Sequence, residues 1–168
     1  MTTLYLVRHG ETVDNANHIM QGQTQGELNS EGRMQAHKVA EEMAAVHIDA
    51  FISSDLKRAY ETCGIIAEPH GLKVTTTPLL RERDWGSFTG RFIPSLKDEP
   101  WPDDIESLDA LKRRAADFLD YVKAKYPSST VLAVGHGIIN KAVQSVFYGK
   151  DMHDVPPMRN AEVRMLKL

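Results

Sequence analysis

The chain has 168 residues, 42% hydrophobic and 26% charged, with a net charge of −3 at neutral pH and one cysteine. That length sets the expectation of one domain, residues 1–168, with a substantial hydrophobic core, and the charge balance speaks against a nucleic-acid or anionic-membrane partner. A single thiol excludes a disulfide framework and a multi-thiolate zinc site. The N-terminus reads straight into a strand and no apolar run is long enough to span a bilayer, so a cytoplasmic protein without membrane association is expected.

The first predicted strand, Leu4–Arg8, is apolar on both faces, as in a sheet covered on both sides. It ends in Arg8-His9-Gly10. Functional groups at the carboxyl end of such a strand face the crevice where open α/β sheets bind ligands. An imidazole beside a guanidinium there suits an anion, although taken alone the triplet fits a turn histidine equally well. Residues 17–29, rich in Gln, Gly, Asn and Thr, read as a loop on the rim of that crevice. Helical spacing predicts Ser30–Val46, with Met34, Val39, Met43 and Val46 on its buried stripe. A short strand, Ala50–Ser53, leads to a helix over Leu56–Pro69, with Ser54 or Asp55 expected as its N-cap. Arg58 falls in the first turns, where a cation opposes the helix dipole but suits an anion drawn to the helix end. Cys63, on the same helix, reads as a small core residue.

A strand at Lys73–Thr77 precedes Leu80-Arg81-Glu82-Arg83-Asp84-Trp85. Glu82 is an acid among cations beside an aromatic; partial burial would let it donate a proton near neutrality, whereas an ordinary charged loop would pair it with Arg81 or Arg83. Residues 87–106 are irregular, proline-containing and acidic. A strong apolar face runs through the next helix, Ser107–Tyr126. The strand Thr130–Gly135 again ends in a histidine, Gly135-His136-Gly137, followed by a helix over Ile138–Phe147 closed by Gly149. Val163–Leu168 is the last strand. His18, His37, His47, His70 and His153 show no metal-ligand spacing. Alternating strands and helices predict a layered α/β/α domain with a largely parallel sheet. Parallel neighbours would bring the two strand-end histidines into one crevice.

Taken together and in order, Arg8-His9-Gly10-Glu11-Thr12 with Asn15, Ser53-Ser54-Asp55-Leu56 leading to Arg58-Ala59 and Glu61-Thr62, Glu82 with Gly86 and Gly90, and Gly135-His136-Gly137 resemble the histidine phosphatase superfamily, which includes the cofactor-dependent phosphoglycerate mutases. The resemblance implies an α/β/α sandwich with one antiparallel strand. It implies that His9 is a nucleophile forming a phosphohistidine, that Arg8, Arg58 and a protonated His136 make the phosphate pocket, and that Asn15 adds a donor. Glu82 becomes the general acid and then base. Gln21 and Gly22 become candidate substrate contacts, and Arg83 matches a carboxylate-binding arginine of the mutases. Neither a metal nor a cofactor is implied. The stretch around 87–106 looks like a trimmed version of a longer cap, with Trp101 either over the rim or at the core edge. The expected function is metal-independent hydrolysis of small phosphorylated metabolites. Phosphoglycerate mutase-type transfer, protein phosphohistidine hydrolysis and a non-catalytic phosphate-binding module are the alternatives. The pattern leaves the physiological ester and the oligomeric state undetermined.

Overall fold

Leu4, Leu6 and Val7 are wholly shielded from solvent, as a strand covered on both faces requires. A computed structural model describes residues 1–168, and its sheet has five strands: β1 (Thr3–Arg8), β2 (Ala50–Ser54), β3 (Val74–Thr77), β4 (Thr130–Gly135) and β5 (Val163–Lys167). Their order is β3-β2-β4-β1-β5. All neighbours are parallel except β5, which runs antiparallel along β1. The antiparallel strand expected from the family resemblance is therefore the C-terminal edge.

Helices cover the sheet: α2 (Ser30–Met43), α3 (Lys57–Ala67), α4 (Leu108–Lys125) and α5 (Gly137–Tyr148). Side chains alternate along each strand, so one sheet supplies two separate cores. Leu4, Leu6, Val131 and Ala133 pack with Leu111, Phe118 and Val122 of α4 and Ile139 and Val143 of α5. Val7, Phe51, Leu132 and Val134 pack with Val39 and Met43 of α2 and Ala59, Cys63 and Ile66 of α3. Cys63 has no exposed surface, and burial pushes its thiol pKa up; it is a core residue, as expected. The register that matters for the site pairs Arg8 with Gly135, which sets His9 and His136 side by side where the central strands end.

Several local expectations shift. Met34 is 65% exposed, because α2 turns Gly32, Ala36, Val39, Ala40 and Met43 inward. At ~100° per residue, Met34 lies about 140° round from Val39. The helix ends at Met43 and not Val46. Helix α3 stops at Ala67 and passes into a tighter turn, Glu68–His70. Its N-cap is Leu56, with no side-chain cap. Asp55 instead holds Arg81 through two 2.7 Å bonds, and Ser54 Oγ accepts from the Leu56 N–H at 3.2 Å. A short helix not expected from the pattern, α1 (Val13–Ala16), is closed by a reciprocal Thr12–Asn15 capping box. Between Gly86 and Leu96 the chain forms only brief helical turns. Trp101, beyond those turns, is 58% exposed, its ring edge-on to Trp85 at 5.5 Å.

Candidate active site

His9 emerges from β1 and is almost wholly buried. Its Nδ1 lies 2.7 Å from the Gly10 carbonyl oxygen. A carbonyl only accepts, so Nδ1 carries the proton and Nε2 the lone pair. Burial, with the Arg58 and Arg8 charges, holds the ring well below the usual histidine pKa against the opposing Gly10 bond. His9 is thus an uncharged imidazole with one free nitrogen. The turn that carries it is fixed from three sides. Gly10 N–H donates to Thr62 Oγ1 on α3 at 3.1 Å. The His9 carbonyl accepts from Asn160 Nδ2 and the Ala161 N–H, both at 3.1 Å. A Cβ on Gly10 would sit 2.5 Å from the Gly32 oxygen, so the strand end packs on the first turn of α2 only without a side chain.

Arg58, in the first turn of α3, is 1% exposed. Its guanidinium donates to the carbonyls of Gly22 at 2.7 Å, of Gln25 at 3.4 Å, and of Thr24. Loop 21–26 therefore wraps the side chain, and Gly26 makes this possible. It has φ +71°, and a Cβ there would meet Arg58 Cδ at 2.8 Å. Burial lowers the Arg58 pKa to about 10, partly offset by Glu82, leaving it protonated at neutral pH. Arg8 Nη1 donates to the Met158 carbonyl at 2.7 Å. The Nε of each arginine is buried and has no partner.

His136 also has no exposed surface. Its ring stands edge-on to His9 at 5.1 Å, and its Nε2 is 2.9 Å from Ser54 Oγ. Burial, then Arg58, His9 and Arg8, push its pKa well below the ordinary value. The protonated third cation expected of His136 is disfavoured, because neighbouring positive charge and desolvation both oppose a further proton.

Glu82 shows neither of the ion pairs open to it in the sequence. Its Oε1 accepts from the backbone N–H of Arg83 at 2.9 Å and of Ile139 at 3.0 Å. Oε2 accepts only from the Ile138 N–H at 3.0 Å. The carboxyl is docked on the N-terminus of α5, where the dipole and free N–H groups favour it, and Oε2 keeps the spare lone pair. Arg114 of α4 holds the chain that carries Glu82, donating to the carbonyls of Leu79, Arg81 and Glu82.

A cavity of about 270 Å³ joins these groups, lined by Arg8, His9, Asn15, Gln21, Gly22, Arg58 and Glu82 with Ile19, Met20, Trp85, Ile93 and Ile138. Asn15 Oδ1 is occupied by the Thr12 N–H and Asn160 Nδ2, which leaves its amide N–H groups free to donate. Gln21 Oε1 accepts from Thr12 Oγ1 at 2.9 Å. His136 packs behind His9 and does not line the cavity. Arg83 does not line it either: Nε donates to the Glu106 carbonyl at 2.8 Å, and the guanidinium lies over Trp85 and Trp101 at 4.9 and 5.3 Å. A larger hollow, about 560 Å³, lies near the start of β2 between Ala44 and Leu72, but no arginine or lysine lines it. Sequence spacing did not single out Gly26, Arg114, Asn160 or the Met158 carbonyl. Each acts through a partner distant in the chain.

An uncharged imidazole beside two arginines whose Nε donors are unpartnered, with a carboxyl lining the same cavity, suits a tetrahedral oxyanion. The model of the histidine phosphatase superfamily, branch 1, matches residues 4–168. A probable phosphoglycerate mutase, GpmB, of Yersinia enterocolitica is 37% identical over 167 residues, covering 91% of this chain and 78% of its own. A mycobacterial glucosyl-3-phosphoglycerate phosphatase, solved with VO3, superposes with a TM-score of 0.89 at 28% identity, covering 98% of this chain and 92% of that one. The Entamoeba histolytica phosphoserine phosphatase in complex with 3-phosphoglyceric acid gives 0.85 at 25% identity, with 98% and 90% covered. With one family accounting for both strand-end histidines and for the antiparallel edge, the chain belongs to the histidine phosphatase superfamily.

Proposed function

We propose that the protein hydrolyses phosphate monoesters through a phosphohistidine on His9, without a metal ion. The observation that carries this reading is the pairing of a neutral His9, Nδ1–H tied to Gly10, with two arginines whose buried Nε donors lack partners. Buried donors without acceptors are costly, and phosphoryl oxygens are acceptors. The His9 Nε2 lone pair attacks phosphorus, and the P–O bond to the alcohol breaks. Glu82 Oε2, the oxygen with spare capacity, takes up the proton that a monoanionic substrate brings and passes it to the departing alkoxide. The resulting carboxylate then takes a proton from water as that water attacks phosphorus, and the N–P bond pair returns to Nε2. Arg8, Arg58 and Asn15 stabilise charge on the equatorial oxygens. The charge of a bound dianion, acting across the His9 ring, raises the affinity of His136 for a proton.

The same geometry favours hydrolysis over mutase transfer. A small phosphorylated acid needs a cation for its carboxylate, and Arg83 is committed to the Glu106 carbonyl and the two indoles. The test is acid-quenched trapping of labelled phosphate in a chelator-treated enzyme, alongside turnover of phosphate esters. Wild type should turn over and form an acid-labile adduct, and His9→Ala should do neither while keeping its melting profile. Turnover by His9→Ala close to wild type sinks the covalent route. Conversion of 3-phosphoglycerate to its isomer faster than its hydrolysis would transfer the assignment to a mutase.

A further inference from the structure

We infer that the site has a second, apolar compartment that binds the alcohol part of the substrate, and that the preferred esters carry an aliphatic or aromatic group on that alcohol. The inference rests on the hydrolase reading for its chemistry and on separate observations for its location. A hollow of about 220 Å³ adjoins the catalytic cavity, lined by Met20, Trp85, Phe88, Ile93, Leu96 and Trp101, with Lys97 as its one charged group. Met20, Trp85 and Ile93 line both spaces, so the hollow lies directly beside the cavity that holds the arginines.

The walls are mostly apolar and partly open to solvent. Of the lining residues, Trp101 is 58% exposed and Ile93 44%. Large side chains exposed together beside a catalytic cavity mark a contact surface more often than scattered ones do. The walls include an aromatic cluster: Trp101 stands edge-on to Trp85 at 5.5 Å and to Phe88 at 6.3 Å. The buried Arg83 guanidinium lies over both indoles. The neighbouring acids are mostly engaged elsewhere, Glu99 with Arg91, Asp104 with Ser87 and Glu106 with Arg114, so no carboxylate lines the hollow. The volume is below the ~300 Å³ at which drug-sized pockets begin, which suits one ring or a short chain.

The experiment uses two matched series, n-alkyl phosphates from ethyl to hexyl and the corresponding non-hydrolysable alkylphosphonates. Leaving-group acidity is nearly constant along the esters, so kcat/KM reads burial of the chain. Each buried methylene contributes about 0.8 kcal/mol, or roughly fourfold, and both kcat/KM and phosphonate affinity should climb by about that factor per carbon before levelling. Trp101→Ala and, independently, Ile93→Ser should each compress the hexyl-to-ethyl ratio several-fold. A flat phosphonate series overturns the compartment whatever the turnover, and a flat series together with a concentration-dependent dimer assigns the patch to self-association. Rising phosphonate affinity with no ester turnover retains the compartment and removes the hydrolase reading. Rising affinity that neither variant alters overturns the location.

Discussion

Arg114→Met tests whether α4 positions the catalytic acid. The side chain makes a two-pronged pair with Glu106, Nε to Oε2 at 3.0 Å and Nη2 to Oε1 at 2.8 Å, with the partners only 17% and 14% exposed. It also donates to the carbonyls of Leu79, Arg81 and Glu82. Methionine keeps the stem but removes every donor. Breaking one side of a fully buried pair costs about 3–5 kcal/mol; here the Asp84 N–H stays on Glu106 and water reaches the pair, so about 2–3 kcal/mol is expected. At roughly 2–4 °C per kcal/mol for a chain of this size, calorimetry should show Tm lower by roughly 4–12 °C. Loss of the three carbonyl bonds loosens the segment ending in Glu82, so kcat/KM for an unactivated alkyl phosphate should fall about tenfold or more. An activated aryl phosphate, which needs little acid assistance, should change far less. Adding Glu106→Gln removes the unpaired charge and should recover part of the Tm but none of the ester discrimination. A single variant with Tm within ~1 °C of wild type and an unchanged ratio of the two esters refutes the reasoning.

Glu82→Gln keeps the shape of the side chain and removes the transferable proton. It should slow alkyl esters by about 10²–10⁴-fold and aryl esters much less, and equal losses on both would exclude a general-acid role. Arg58→Lys retains charge but cannot reach the Gly22, Thr24 and Gln25 carbonyls and a phosphate together. A loss of about 10²–10³ in kcat is expected, and activity within a few-fold of wild type would show that the fork is dispensable. His9 and His136 bind protons more weakly folded than unfolded, the ordinary value being 6.5. Their stabilising effect is therefore complete above that value and declines as pH falls through it, by about 1.4 kcal/mol per pH unit for each ring. Melting curves in phosphate-free buffer should show this slope, shallower in His136→Gln; identical slopes in both proteins would contradict the assigned shift.

Local sequence determined much of this protein. Short β-favouring runs located all five strands, and the 3.6-residue period the four long helices, to within a few residues, because each element must bury its apolar surface. The strand ends at Arg8-His9 and Gly135-His136 were readable for the same reason: polar residues after a buried strand have the crevice as their outlet. Pattern failed where a stripe could be drawn in more than one way, as at Met34, and where capping side chains had better partners, as Asp55 had in Arg81. Tertiary structure alone decided the state and the support of the site. His136 lost its expected charge through desolvation and adjacent arginines. Arg83 turned from the cavity to the indoles, and Glu82 found backbone N–H groups of α5 in place of an ion pair. Arg8 took as its partner the Met158 carbonyl, 150 residues along the chain. Periodicity records which face of an element is apolar; protonation and partner choice depend on dielectric and on groups brought together by packing, and no local window contains them.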